Sequence, residues 1–231
     1  MAESFSDHLR RLAEPIWAAQ HAHPFVQGIG DGTLALDKFR FWVRQDYLYL
    51  RDYARVFAAG ALRAPDLETM TTFADLLHAT LRTEMDLHRA YAAEFGISLS
   101  DLERERKAPT TQGYTDFLIR VATIGDFAEF AAALLPCMWG FSEVGERLAA
   151  RGMPSDPRYA KWIAMYSAPE FAELTRWCRE LVDKLGTDAS APMRARMEEA
   201  FLTSSRYELA FWEMAWTLEA WPGEQQIPND Q

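Results

Sequence analysis

The run Leu134-Leu135-Pro136-Cys137-Met138-Trp139-Gly140-Phe141 places a thiol directly after a proline, inside what otherwise reads as an apolar helix. The proline removes one backbone hydrogen bond and kinks the helix, an irregularity that the surroundings must support and that often coincides with a site. Cys137 shares a helical face with Phe130, Ala133, Leu134, Gly140, Phe141 and Val144, where alanine and glycine would let a flat ligand approach the sulfur. Two readings follow from these residues: a nucleophile, or a buried core cysteine beside a tolerated kink. The second thiol, Cys178, falls on a face with Phe171, Leu174, Leu181 and Val182, with no titratable neighbour, and reads as core.

Two carboxylates sit where apolar side chains are expected. Helical steps from Trp42 give Asp46, Tyr49, Leu50, Tyr53 and Phe57, so Asp46 lies within an aromatic stripe. Burying an ionised Asp is costly unless it is paired, which makes Asp46 either a ligand-binding carboxylate or a structural one tied to Tyr49 or Tyr53. Near the C-terminus, Phe201, Ser204, Ser205, Glu208, Phe211, Trp212 and Ala215 share a face. A Glu in such a pocket has a raised pKa and can hold or deliver a proton near neutrality. The structural alternative is a Glu satisfied by Ser204, Ser205 or Tyr207. Glu84 and His88 stand one helical turn apart, but the Glu-x-x-His pairs of a di-iron bundle are missing, so pairing in the core or between helices is the better reading. No signature supports heme ligation by His21, His23, His78 or His88.

The elements that must position these groups are helices. Three-to-four residue hydrophobic spacing recurs throughout, and strand-like alternation is almost absent. It predicts helices at about 4–21 with a break near Pro15, 35–59, 66–95, 111–123, 127–151, 157–165, 169–185 and 191–221. Asp126 with Glu129 has capping-box spacing, and Asp156 precedes a proline at a first helical position. The stretches 23–32, 60–65, 95–109, 152–157 and 186–192 read as connections too short or too apolar to be domain linkers. The expectation is an all-α, single-domain helical bundle over residues 1–221, with a flexible tail at 222–231.

Composition narrows the class of function. With 24 basic against 34 acidic residues the net charge is −10, which argues against a nucleic-acid or anionic-membrane surface. No stretch approaches the roughly 20 apolar residues of a membrane span. Two cysteines without ligand spacing suit a reducing compartment and give no zinc site, and the protein reads as cytoplasmic.

Several segments together resemble the TenA family, also called thiaminase II or aminopyrimidine aminohydrolase, within the heme-oxygenase-like all-helical superfamily. They are His23-Pro24-Phe25-Val26-Gln27-Gly28-Ile29-Gly30-Asp31-Gly32-Thr33-Leu34, Gln45-Asp46 with Tyr49, Glu84-Met85-Asp86-Leu87-His88, Leu134-Leu135-Pro136-Cys137, Lys161-Trp162-Ile163 with Tyr166, and Ser204-Ser205-Arg206-Tyr207-Glu208 with Phe211-Trp212. Their order and spacing within a single sequence carry the resemblance. It implies that Cys137 is the nucleophile, Glu208 the acid/base group and Asp46 the carboxylate that grips an aminopyrimidine. It also puts Tyr49, Tyr114 and Tyr166 at ring-contacting positions. Phe141 stands where many members have tyrosine, which implies that a hydroxyl is missing beside the thiol.

The implied reaction is hydrolysis of 4-amino-5-aminomethyl-2-methylpyrimidine, with no metal or organic cofactor, by a homotetramer of the cysteine-bearing branch. Thiamin or the formylated precursor of that pyrimidine are alternative substrates. Two other readings stay open: a non-catalytic pyrimidine-binding or regulatory protein on the same scaffold, and a heme or di-iron oxygenase-like protein.

Overall fold

The computed structural model describes residues 3–223, and every regular element among them is helical. The order is α1 (Phe5–Leu12), α2 (Glu14–Ala22), α3 (Pro24–Asp31), α4 (Leu36–Arg63), α5 (Leu67–Ala79), a π-helical turn (Thr80–Glu84) and α6 (Met85–Glu94). There follow α7 (Leu99–Arg104), α8 (Pro109–Ile124), α9 (Phe127–Arg151), α10 (Pro157–Tyr166), α11 (Pro169–Asp188) and α12 (Ala191–Thr217). Local chemistry fixes the starts. The side chains of Ser4, Asp66, Ser98, Asp126, Asp156 and Ser190 each accept a backbone N–H of the first turn, satisfying a donor that has no partner within its helix.

Several boundaries differ from the sequence expectation. The stretch 23–32 is not a connection but contains α3, because His23 Nδ1 accepts from Phe25 N at 3.2 Å and Gly32, at φ 71°, closes the helix in the left-handed region. Helix α7 arises inside 95–109 from a capping box between Ser98 and Asp101. The box expected at Asp126 is only half made: Asp126 caps through Ala128 N, without the reciprocal Glu129 bond. Helix α4 runs through Gly60, since a Cβ there would lie 2.6 Å from Phe73 Cδ1; the glycine is where α5 crosses closely, not a stop. The long helix expected over 66–95 is broken by the π turn. Helix α12 ends short of Trp221, at Leu218 with φ 55°. Of the tail expected at 222–231, residues 224–231 lie outside the described residues.

Helix α9 packs most extensively on α12 and α11, and α4 on α5 and α8. Between these layers the buried rings of Trp42, Trp162 and Trp212 stand 6.1 to 6.4 Å apart, centroid to centroid. Aromatic rings at such separations bury large apolar areas in preferred tilted or offset geometries, and here they form the floor on which the site is built. Among the described residues no helix is long and apolar enough to cross a membrane.

Candidate active site

Four helices and the π turn surround one cavity. Asp46, Tyr49, Leu50 and Tyr53 enter from α4, Cys137, Met138 and Phe141 from α9, Tyr166 from the end of α10, Phe171 from α11, and Glu84 from the π turn. Its empty volume, counting space that opens to solvent, is about 350 Å³. Five of the sequence-predicted site residues, Cys137, Asp46, Tyr49, Phe141 and Tyr166, therefore line a single space. Glu208 and Tyr114 do not line it. They stand behind the thiol, where Glu208 interacts with Cys137.

Asp46 is 4% exposed, and its partner is neither Tyr49 nor Tyr53. His88 Nε2 lies 2.5 Å from Asp46 Oδ2, while His88 Nδ1 donates to the Glu84 carbonyl at 2.9 Å. With Nδ1–H committed to a carbonyl, an imidazolium is the form of His88 that suits a carboxylate at Nε2. Burial opposes that charge, but Asp46 and Glu84 outweigh it and raise the His88 pKa. The Glu84/His88 spacing thus serves an interhelical ion pair, α6 to α4. Three other histidines also contact carboxylates: His8 with Glu198, His21 with Glu143 and His23 with Glu213. Among the described residues no group of three or more potential ligands could hold a metal ion.

Burial pushes the Cys137 thiol well up, and the nearby Glu208 carboxylate adds to the effect. The hydroxyls of Tyr49 and Tyr53, which have no well-aligned hydrogen-bond partner, approach the sulfur and favour its thiolate. This corrects the expectation drawn from Phe141: hydroxyls beside the thiol come from α4 instead. The Phe141 ring packs 4.8 Å from Tyr166 and 5.1 Å from Trp212, forming an apolar wall. Gly140 does not open the site to a ligand either, because a Cβ there would lie 3.1 Å from Gln20 Nε2 of α2. Cys178 is buried in packing, as expected, with burial alone pushing it up to about 12.

Glu208 is held differently from the sequence alternatives. Tyr114 Oη donates to Glu208 Oε1 and lies 2.8 Å from Ser204 Oγ, while Ser205 Oγ accepts from Trp17 Nε1 at 3.0 Å. Tyr207 stacks face to face on Tyr114, centroids 5.1 Å apart, and fixes that ring from behind. Tyr114 is thus a partner of the acid rather than a wall of the cavity. Burial pushes Glu208 up to about 8, even though the Tyr114 bond pulls it down. The result is a thiol, a carboxyl that exchanges its proton near neutrality, and an ion-paired carboxylate around an aromatic-walled space. Such a set can add sulfur to an electron-poor ring and move a proton onto that ring.

Sequence reasoning missed His88 as the partner of Asp46, Tyr53 as a neighbour of the thiol, and Glu84 as a cavity residue. Helical spacing had placed Tyr53 on the Asp46 stripe, so a signal existed for it. Nothing in one sequence tells which carboxylate on another helix a histidine meets.

Comparisons with known proteins bear on the same conclusion. A protein of Halalkalibacterium halodurans named aminopyrimidine aminohydrolase is 49% identical over 94% of this chain and 98% of its own length. One of Bacillus subtilis with the same name is 41% identical over 94% and 92%. The structure of a TenA homologue from P. horikoshii OT3 superposes with a TM-score of 0.85 at 31% identity, covering 93% of this chain and 99% of that one. A Shewanella denitrificans domain described as having a heme oxygenase-like fold superposes at 0.72 with 13% identity over 91% of each protein, which supports the fold alone. The sequence model of the TENA/THI-4/PQQC family matches residues 10–218, and the chain belongs to that family.

Proposed function

We propose that this protein is an aminopyrimidine aminohydrolase of thiamin salvage, converting 4-amino-5-aminomethyl-2-methylpyrimidine and water to the 5-hydroxymethyl pyrimidine and ammonia. The observation that carries the reading is the meeting of Cys137 and Asp46 at one aromatic-walled cavity, with Glu208 of a third helix set against the thiol from behind. Relatives of the same name at 41% and 49% identity support it.

In this reading Asp46, held by His88, grips the amino-substituted edge of the pyrimidine, and Tyr49, Tyr166 and Phe141 enclose its faces. The Glu208 carboxylate takes the thiol proton and passes it to a ring nitrogen as sulfur bonds to the ring carbon beside the aminomethyl branch. The electron pair gained by the ring then breaks the C–N bond of the aminomethyl branch, which is protonated at neutral pH, and neutral ammonia leaves with the pair of that bond. Water adds to the exocyclic methylene and gives a proton to the Glu208 carboxylate, the thiolate departs with the electrons of the C–S bond and takes back the proton on the ring nitrogen, and the aromatic ring is restored. Thiamin would be cleaved by the same steps, with its thiazole as leaving group. Tyr114 acts through Glu208, as a positioning residue.

The same reading places the enzyme in the cytoplasm as a homotetramer. Leu62, Leu67 and Ile124, all more than three-quarters exposed at ends of α4, α5 and α8, suit burial between subunits. Equal release of ammonia and the hydroxymethyl product from the aminomethyl pyrimidine tests the activity; ligand binding without product would overturn it.

A further inference from the structure

Glu84 lines the cavity, yet the steps above give it no task. It closes the π turn, an irregularity that shifts the helical register and is frequent at functional sites. Its Oε1 accepts from Thr80 Oγ1 at 3.2 Å, and no other donor among the described residues reaches its carboxylate. The charges that act on it are those of His88 and Asp46, which largely answer each other across 2.5 Å. Burial pushes Glu84 up to about 7, so the group is poised to ionise when a cation arrives beside it.

The Tyr166 hydroxyl marks where that cation would stand. Asp46, Glu84 and Cys137 all act on it through space, so three groups that carry negative charge when ionised converge on one part of the cavity. The imidazolium of His88 is already committed to Asp46. A buried lining with surplus acid disfavours anionic ligands, accepts neutral ones indifferently and favours a positive charge.

Resting on the proposed reaction, we propose that Glu84 is a specificity residue, the counter-ion for a protonated amine on the pyrimidine's aminomethyl branch. That branch is an alkylammonium at neutral pH, whereas the hydroxymethyl product is neutral at the same position. Glu84 would therefore make the cavity hold substrate more tightly than product, favouring release of the product once the amine has gone. The contact is a charge-assisted hydrogen bond, and its loss lowers affinity for the cationic ligand alone.

Equilibrium binding to folded Cys137→Ala protein tests this without turnover, with and without Glu84→Gln, using the aminomethyl and hydroxymethyl pyrimidines as separate ligands in calorimetry. The expected result is roughly a ten- to hundredfold loss of affinity for the aminomethyl compound on Glu84→Gln, with the hydroxymethyl compound changed less than about threefold. An equal loss for both ligands, or none for either, would overturn the role of Glu84. Absence of ammonia release from the wild type would overturn the proposed reaction instead, while leaving the binding preference measurable. Failure of both ligands to bind would overturn the two together.

Discussion

At the scale of single residues, Cys137 and Glu208 behave as a coupled pair: the Glu208 carboxylate makes the thiol harder to ionise, the hydrogen bond between them favours the Glu208 carboxylate, and both groups are buried. The pair loses its first proton near 8, where Glu208 titrates, and the thiol follows well above. Attack requires the pair with one proton removed. The expected kcat/KM therefore rises with pH through an apparent pKa near 8, and Glu208→Gln abolishes that limb while lowering kcat by roughly 100-fold or more, the usual scale for losing a general acid/base. A pH-rate series on both proteins checks this. Tyr114→Phe gives a sharper sign. The Tyr114 hydroxyl lowers the Glu208 pKa by donating to its carboxylate, so removing it moves the same limb to higher pH. A limb that stays in place would show that Tyr114 does not act through Glu208.

At the scale of elements, the site depends on how closely α9 meets its neighbours. A Cβ on Gly145 would lie 2.6 Å from the backbone carbon of Tyr166, so α10 reaches α9 only because position 145 is glycine. Gly145→Ala forces the end of α10 outward, at an expected cost of about 1–3 kcal/mol as overpacking, and raises KM because Tyr166 retreats from the cavity. Urea unfolding and steady-state kinetics read the two effects. The cores of α9, α10 and α12 were legible from hydrophobic spacing alone, and so were Cys137, Asp46 and Glu208, because thiols and carboxylates stand out on apolar faces. The π turn was not legible, since its residues continue the same helical pattern and only tertiary packing breaks the register. Helix α3 was hidden by glycines whose small size serves contact: a Cβ on Gly28 would lie 3.1 Å from Leu34 Cα. Pairings across the bundle, His88 with Asp46 and Tyr114 with Glu208, depend on helix rotation, which one sequence does not display.

At the scale of the whole molecule, buried carboxyls set how stability varies with pH. Glu84 and Glu208 are pushed by burial from an ordinary 4.5 up to about 7 and about 8, so the folded protein binds their protons more tightly than the unfolded chain. Stability from that source is fully present below about 4.5 and is lost as pH rises through 7 and 8. Glu143 has the opposite sign. Burial works to raise it, but His21 and Arg10 outweigh burial and bring it down to about 2. Its contribution, tying α9 to α1 and α2, is present above about 4.5 and is lost as pH falls toward 2. The urea midpoint is therefore expected to peak near pH 4.5, falling toward pH 2 on the acid side and toward pH 8 on the alkaline side. Glu208→Gln should flatten the alkaline decline. An unaltered alkaline limb in that variant would mean that Glu208 is not buried as the structure shows.

Cys137 carries the proposed chemistry. The most direct test is the rate of ammonia release from 4-amino-5-aminomethyl-2-methylpyrimidine by wild type and Cys137→Ala, with circular dichroism showing that both are folded. The expected result is turnover by the wild type and none above background by the folded variant. Near-normal turnover by Cys137→Ala would contradict it.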